Sequence, residues 1–555
     1  MTTLPAVHAV VIGAGAAGPI VAKELAFAGF KTVLLERGKW NTADDCRKDD
    51  LHNQRTSPLG HPFGPDDDGN PRVLVDRKGN TRIVEPSAPG YNNNAACVGG
   101  GTLSYGAMAW RYHPDDFRMR SVYGAKIPRA FQNSTLEDWP ISYDDLEPFY
   151  EQAEWEIGVS GDDSTNPFRG ERRKPLPMPP PAPSIEHTLL WKGAEKLGLH
   201  PFHIPMLRNT IPYAGRPACM RCRWCVGFAC EVDAKCGTQN TVLPRALATG
   251  NLELRTQCHV QQVVVNDQGH ATGVRYFDGA GQLCEQAAKV VVVSGSAIES
   301  ARLMLNSKSK LFPNGLGNRH DWVGRNLQGH TYTGAAGLVE QDIYDDLGPG
   351  ASIAICDYNH GNPDLAGGAM LANEFIRLPI QAIGLRPAGV PRWGAANKAH
   401  MRTNYRRTIT VQGPTQEIPT FDMRVELDPT VRDKFGIPVA RLSGLKHPHT
   451  LEIGQAMSLK AEAWLKASGA VRTWVRGGGQ GISGGQHQAG TCRMGNDPRT
   501  SVVDANCRVH EADNVYVVDG SIHVTNGGFN PALTIMALAF RAGAHIAKAH
   551  REAQA

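Results

Sequence analysis

The sequence predicts an α/β protein whose core is a parallel, doubly wound sheet, and three observations carry that prediction. Ala6 to Ile12 is a short apolar run that leads straight into Gly13-Ala14-Gly15-Ala16-Ala17-Gly18. From Ile20 to Phe27 the apolar residues recur at helical spacing. Lys31 to Leu35 is a second apolar run, and it ends on Glu36. Strand, glycine turn, helix and strand make a βαβ unit, whose crossover helix forces the two strands to be parallel. Such a unit is one half of a Rossmann-like domain.

The later elements follow in order. Residues 41–90 are polar and rich in Asp, Pro and Gly, and read as long loops. Residues 91–111 are glycine-rich with interleaved aromatics. The segment 165–184 holds seven prolines, which exclude regular structure. Leu252 to Phe277 alternates in strand fashion. Lys289 to Ser294 reads as a buried strand that leads through Gly295 into a helix ending near Leu305. Residues 330–440 mix strand and loop signals, as in a cap built on an antiparallel sheet. Asn514 to Val518 is another buried strand, and Pro531 to Ala547 a terminal helix.

The 555 residues leave room for three or four domain-sized units, or two large ones. Lys and Arg number 58 against 54 Asp and Glu. The resulting net charge of +4 gives no electrostatic footprint for nucleic acid or an anionic membrane surface. No run approaches the roughly 18 apolar residues of a membrane span, so direct membrane insertion is not expected. Met1 to Pro5 carry neither Lys nor Arg, which argues against a secretory signal. By its own sequence the chain is expected in the cytoplasm, or in the periplasm by co-export with a partner.

Gly13, Gly15 and Gly18 form a G-x-G-x-x-G motif. The first permits the tight turn, the second lets a pyrophosphate approach the backbone, and the third lets helix pack on sheet. The helix N-terminus adds a partial positive charge. Glu36 ends the second strand, where an acid holds ribose hydroxyls. A dinucleotide site follows, with Ala16, Ala17 and Arg37 beside it. The motif alone does not separate FAD from NAD.

Further motifs separate them. Val98-Gly99-Gly100-Gly101-Thr102-Leu103, Val323-Gly324-Arg325-Asn326-Leu327 and His487-Gln488-Ala489-Gly490-Thr491 follow the βαβ unit in that order. Val517-Val518-Asp519-Gly520-Ser521 and Asn530-Pro531-Ala532-Leu533-Thr534 complete the series. Together they resemble the glucose–methanol–choline (GMC) family of FAD oxidoreductases over nearly the whole chain. The segments 109–117 and 138–150 are similar to sugar-dehydrogenase large subunits of the gluconate, glucose and glycoside dehydrogenase kind. Residues 340–475, where substrate selectivity would be written, are much less recognisable.

The resemblance implies a discontinuous FAD-binding domain over 1–130, 215–325 and 480–555, and a substrate-binding cap over 131–214 and 326–479. It implies FAD contacts at Gly99, Gly100, Gly101, Thr102 and Leu103, at Asn92 to Asn94, and at Tyr105, Asp519, Gly520, Asn530 and Pro531. No His occupies 98–106, so a histidyl-flavin bond there is excluded and FAD is expected to be non-covalent. Oxidising an alcohol removes a hydroxyl proton and a hydride from the same carbon. Flavin N5 takes the hydride, so the protein must supply a base and a group that steadies the alkoxide. His titrates near physiological pH, and Asn can hydrogen-bond the oxygen without competing for its proton. In the GMC pattern these are a His before Gly-Thr and a His or Asn about 43 residues later, which implies His487 and Asn530 here. His523 is a near neighbour in sequence but falls outside the motif.

Five of the twelve cysteines, Cys219, Cys222, Cys225, Cys230 and Cys236, fall within 18 residues. Such spacing suits thiolate ligands to iron–sulfur or zinc. Related sugar-dehydrogenase subunits hold a three-iron cluster at comparable spacing, matched best by Cys219, Cys225 and Cys230. One extra residue separates the last two, and no Cys-Pro ends the motif. An iron–sulfur cluster (3Fe–4S or 4Fe–4S) on Cys219, Cys222, Cys225 and Cys230, a zinc or thiol knot, and unligated thiols all stay open. The function expected is an FAD-dependent dehydrogenase that oxidises a CH–OH of a sugar or glycoside, with ring carbon 3 suggested by the family's breadth. Electrons would pass through the cluster to a cytochrome or quinone acceptor, with a small companion subunit. The alternatives are an oxidase using oxygen directly, a GMC-fold lyase with non-redox FAD, and a non-catalytic flavoprotein.

Overall fold

The computed structural model describes residues 1–45, 48, 63–88, 90–91, 95–344, 347–479, 481–483 and 485–552. Asn92 to Asn94, expected at the flavin, lie outside them. The first sheet is centred on β1 (Thr2–Ile12), β2 (Thr32–Leu35) and β3 (Leu283–Val293), with α1 (Gly18–Phe27) crossing between β1 and β2. Leu252–Arg255 lies beside β2, then β1, then β3, and all four are parallel.

β3 serves two partners on its far side. Its first half pairs antiparallel with Ala271–Phe277, and Val291 to Val293 pair parallel with Val515–Val517. The sequence follows the change of partner. Leu283 to Ala288 alternate between half-buried and buried, whereas Val290 to Val293 are all buried, as parallel strands covered on both faces require. α1 carries Pro19 in its first turn, where a missing N–H costs nothing. It packs against the terminal helix, Ala532–Glu552. A Cβ at Gly543 would stand 2.8 Å from Glu24 Cβ, so only glycine lets these two helices approach as they do.

The second sheet is antiparallel throughout. β4 (Tyr332–Leu338), β5 (Leu371–Asn373), β6 (Thr408–Pro414) and β7 (Arg472–Arg476) stand in the order β7-β4-β6-β5. Ile353–Ile355, Phe202–Met206 and Ser160–Asp162 extend it beyond β5. Two further helices are α2 (Ala297–Asn306), which follows β3, and α3 (Pro448–Ala467); α4 spans Ala532–Glu552. α3 buries Ile453, Met457 and Trp464 in one cluster with Ala335 of β4 and Ile409 of β6.

Two regions differ from the sequence reading. Residues 41–90 are not loop throughout, because Arg72–Val75 and Thr81–Val84 form a hairpin. It joins Pro438–Ser443 and Arg424–Arg432 in a third sheet. Four-residue strands in an Asp-rich stretch carry little periodicity of their own, and the partner that stabilises them is distant in sequence. Residues 330–440 also contain a helix, Gly394–Asn404. Among the described residues no helix is long and apolar enough to cross a membrane.

Candidate active site

The carboxyl ends of β1, β2 and β3 open onto a cavity of about 500 Å³, as ligand sites in open parallel sheets do. Gly13 has φ +102°, and a Cβ there would stand 2.3 Å from the Ser294 carbonyl oxygen. At Gly18 a Cβ would fall 1.9 Å from the carbonyl oxygen of Gly13. These two glycines therefore serve the turn. At Gly15 and Gly101 a Cβ would meet no protein atom within 4 Å, and both line the cavity. Their bare backbone leaves open space, as the sequence reading expects where a cofactor approaches the chain.

Of the residues picked from the sequence, Gly13, Gly15, Ala16, Ala17, Glu36 and Arg37 line the cavity. Gly100, Gly101, Thr102, Tyr105, Asp519, Gly520, Asn530 and Pro531 line it as well. Gly18, Gly99 and Leu103 do not line it. Gly18 packs on Gly13, and the Gly99 N–H donates to the Ala14 carbonyl at 2.7 Å. Leu103 is buried with Phe63 and Phe228. Glu36 accepts from the N–H of Ala14 at 2.8 Å and of Gly38 at 2.9 Å, so part of its work is to brace the glycine turn. Burial pushes its carboxyl up, and those backbone N–H groups oppose the shift. Asp519 is braced similarly, accepting from the Ser296 N–H at 2.9 Å and the Ser300 hydroxyl at 2.6 Å.

This geometry separates two glycine substitutions. Gly18→Ala is expected to lower both the melting temperature and the bound flavin, since overpacking costs about 1–3 kcal/mol. Gly15→Ala should leave the melting temperature of the flavin-free protein near wild type and weaken flavin retention alone. Thermal unfolding and the flavin-to-protein absorbance ratio check both.

His487 and Asn530 meet on the cavity wall, with Asn530 Nδ2 3.4 Å from His487 Nε2 and 2.8 Å from the Tyr332 hydroxyl. A second histidine fixes the ring. His330 Nε2 lies 3.1 Å and 3.0 Å from the carbonyl oxygens of Asn526 and Gly527, and its Nδ1 lies 2.8 Å from His487 Nδ1. Carbonyls only accept, so His330 Nε2 carries the proton. Burial pushes His330 below its ordinary value and keeps it neutral, which leaves Nδ1 as an acceptor. His487 Nδ1 must then donate, and its Nε2 presents a lone pair beside Asn530. His523 is placed elsewhere. It is fully buried against Tyr112 and Asn526, is pushed down to about 3 by burial, and does not line the cavity.

His330 and Tyr332 escaped the sequence reading, although they closely follow the Val323–Leu327 motif. Beyond them the cavity is lined by Glu374, Arg377 and Gln412, which belong to the stretch without recognisable motifs.

The cysteine loop docks on Ser104 and Tyr105. Gly227 N–H donates to the Ser104 carbonyl at 2.7 Å, and the Tyr105 hydroxyl donates to the carbonyl of Cys236. Lys235 Nζ ties the loop together from Tyr105 O (3.2 Å), Cys225 O (2.7 Å) and Phe228 O (2.7 Å). Arg223 and Val226 of this loop line the cavity; Cys219, Cys222, Cys225 and Cys230 do not. Burial pushes the Cys225 thiol up to about 11, with Lys235 and Arg208 pulling it back. Arg208 is fully buried, and none of its three side-chain nitrogens has a hydrogen-bond partner. Among the described residues, only His113, Asp115 and His360 bring three ligand atoms within 4.8 Å of one another. The cysteine sulfurs therefore lack the convergence that one zinc ion needs, and among the described residues they form no clear iron–sulfur cluster site. His360 uses both ring nitrogens, on Asp116 at 3.0 Å and the Tyr123 hydroxyl at 2.8 Å, so that trio is a hydrogen-bonded group.

Residues 131–332 and 419–539 match the family models described as GMC oxidoreductase. The 6'''-hydroxyparomomycin C oxidase of Streptomyces lividus is 31% identical, covering 97% of this chain and 90% of its own. The gluconate 2-dehydrogenase flavoprotein of Pantoea cypripedii is 28% identical over 97% of this chain and 93% of its own. Among solved structures, pyridoxine 4-oxidase from Mesorbium loti superposes with a TM-score of 0.63 at 17% identity, over 98% of this chain and 99% of that one.

Proposed function

The chain belongs to the GMC oxidoreductase family, FAD-binding enzymes that oxidise CH–OH groups, and on that premise we propose that its substrate is a sugar or glycoside. The observation that carries this reading is the hydrogen-bonded series His330, His487 and Asn530 on the wall of the cavity that holds the glycine cradle. His487 Nε2 takes the hydroxyl proton. Asn530 Nδ2 donates to the oxygen as it gains charge, and His330 holds the imidazole in the tautomer that can act. Gly15, Gly101 and Asp519 would hold FAD non-covalently, and the bound flavin would supply the acceptor for the hydride. The carbon attacked is proposed to be a secondary ring carbon, with carbon 3 tested first. Strands of the second sheet, all within 160–476, form the cap side of the proposed division into FAD-binding and substrate-binding domains.

Anaerobic addition of a sugar and glycoside panel tests the reading: a substrate bleaches the flavin absorbance. A flavin left oxidised by every sugar would instead favour the lyase or the non-catalytic alternative.

Two readings of electron exit each have support. For a dehydrogenase, Cys219, Cys222, Cys225 and Cys230 would hold an iron–sulfur cluster, read from their spacing alone, which would supply a path to a cytochrome or quinone with a companion subunit. The unpaired Arg208 beside Cys225 supports an anionic occupant, because a buried cation is costly without one. For an oxidase, the support is the similarity to a relative named as one. Cys225→Ser should retain FAD and substrate-driven bleaching, while turnover with a one-electron dye collapses and protein-bound iron disappears. Unchanged dye turnover, no iron in the wild type and rapid oxygen consumption would put the oxidase reading first.

A further inference from the structure

The net charge of +4 conceals one strongly basic stretch. From Phe375 to Gln416, across the connection from β5 to β6 and β6 itself, seven Lys and Arg occur and no Asp or Glu. With 54 acids in 555 residues, the chain's average would place about four there. Arg406 and Arg407 find Asp342, and Arg377 stands 3.7 Å from Glu374. Arg386, Arg392, Lys398 and Arg402 have no carboxylate partner among the described residues, and the last three are exposed.

This stretch meets a sheet edge. β7 is the outermost strand of the antiparallel sheet, and Arg472 Nη2 donates to the Ala388 carbonyl at 3.4 Å. Arg472 is exposed and adds a fifth cation without a carboxylate, while Val471 and Val475 beside it are exposed too. Trp393 is 83% exposed, the most of any large apolar side chain described. Pro391 to Ala399 are exposed throughout except Asn397, whose Nδ2 donates to the Pro391 carbonyl at 3.0 Å and ties the turn to the helix Gly394–Asn404. Arg386 braces the same turn, donating to the carbonyls of Val390 at 2.9 Å and Ile383 at 2.7 Å. The indole is thus displayed on a braced turn, among cations.

Such a face suits a partner that is anionic and apolar at once. Trp favours the headgroup level of a bilayer, and Lys and Arg are drawn to anionic lipid while their stems cover apolar surface. A second copy of this chain would set five cations against five. An acidic protein would answer the charges but would need a pocket for the ring, which a bilayer does not. We infer that residues 386–402 and the edge of β7 dock on an anionic phospholipid surface, with Trp393 seated among the headgroups. The docking is peripheral and does not depend on which alcohol is oxidised. Gln381, five residues before Arg386, lines the cavity, so a docked enzyme holds that part of its cavity wall near the bilayer, the solvent of a lipophilic quinone.

Co-sedimentation of the FAD-loaded enzyme with large unilamellar vesicles tests this, with phosphatidylcholine alone or mixed equally with phosphatidylglycerol. Binding is expected to the mixed vesicles only, and to be lost as salt rises to about 0.5 M, where charges are screened within a few ångströms. Combining Arg392→Gln, Lys398→Gln and Arg402→Gln should weaken binding about 100-fold, at roughly fivefold per cation. Trp393→Ala should weaken it at every salt concentration. Flavin content and melting temperature should match wild type in both variants, because these side chains are exposed. A wild type that stays in the supernatant with the mixed vesicles, or a triple variant that binds them as tightly as wild type, overturns the inference. Retention on immobilised polyglutamate without vesicle binding assigns the face to an acidic protein and overturns it too. The wild-type comparison is decisive even if the variants do not fold.

Discussion

Replacing His487 by Ala lowers turnover by roughly 10²–10⁴-fold, the range for loss of a general base. FAD content stays near wild type, because the bulk of the cavity lining that would cradle the cofactor comes from other residues. The comparison that matters is with His523→Ala. That side chain is sealed among Tyr112, Trp139 and Asn526, so its loss should appear in the melting temperature more than in turnover. Full activity in His487→Ala with loss in His523→Ala would reverse the assignment of the base. Asn530→Ala should cost less than His487→Ala, since a bound water can replace part of one hydrogen bond.

Replacing His330 by Leu is expected to lower turnover on the order of 10²-fold. Loss of the group that fixes a catalytic tautomer can cost up to ~10⁴ where that group is a carboxylate; His330 is neutral and contributes a weaker hold. Its role is positioning, and the pH profile distinguishes this from a packing defect. The Nδ1 lone pair of His330 accepts from His487 and so favours the protonated imidazolium. Without it the pKa of His487 falls, and the acid limb of the kcat/KM profile moves to lower pH. His330→Asn, whose side-chain oxygen can still accept, should recover part of both rate and profile. A His330→Leu enzyme with wild-type rate and an unmoved acid limb would remove His330 from the catalytic assembly.

What the chain disclosed in advance follows the range of each interaction. The glycine turn, β1, β2 and the valine run of β3 are set by neighbours within about thirty residues or by simple burial, and their positions were readable. The hairpin at Arg72–Val75 and Thr81–Val84 depends on Pro438–Ser443, far along the chain, and was not. His330 illustrates the same limit at the site. Its partner His487 is 157 residues away, and a place just after the Val323–Leu327 motif does not by itself assign a role. Arg476, Gly334 and Gln412 become neighbours only once the register of three strands is fixed. A glycine inside β4 would have read as a weak strand position, when it is what lets β6 come close: a Cβ at Gly334 would stand 2.2 Å from the Val411 carbonyl oxygen.

The double partnership of β3 also sets a timetable for biosynthesis. β1 is made first and can pair with β2 early, but its second partner arrives only when Val290 to Val293 emerge, and β3 in turn waits for Val515–Val517. At ~5–20 residues per second, translation leaves the first sheet half-zipped for on the order of tens of seconds. During that interval the apolar edge of β1 is unpaired, the kind of surface on which nascent chains stick to one another. The last helix, α4, then seals α1 through the glycine contact at Gly543. Cofactor loading is therefore a late, post-translational event, and yield during expression will depend on chaperone capacity and flavin supply at chain release more than on the stability of the finished enzyme.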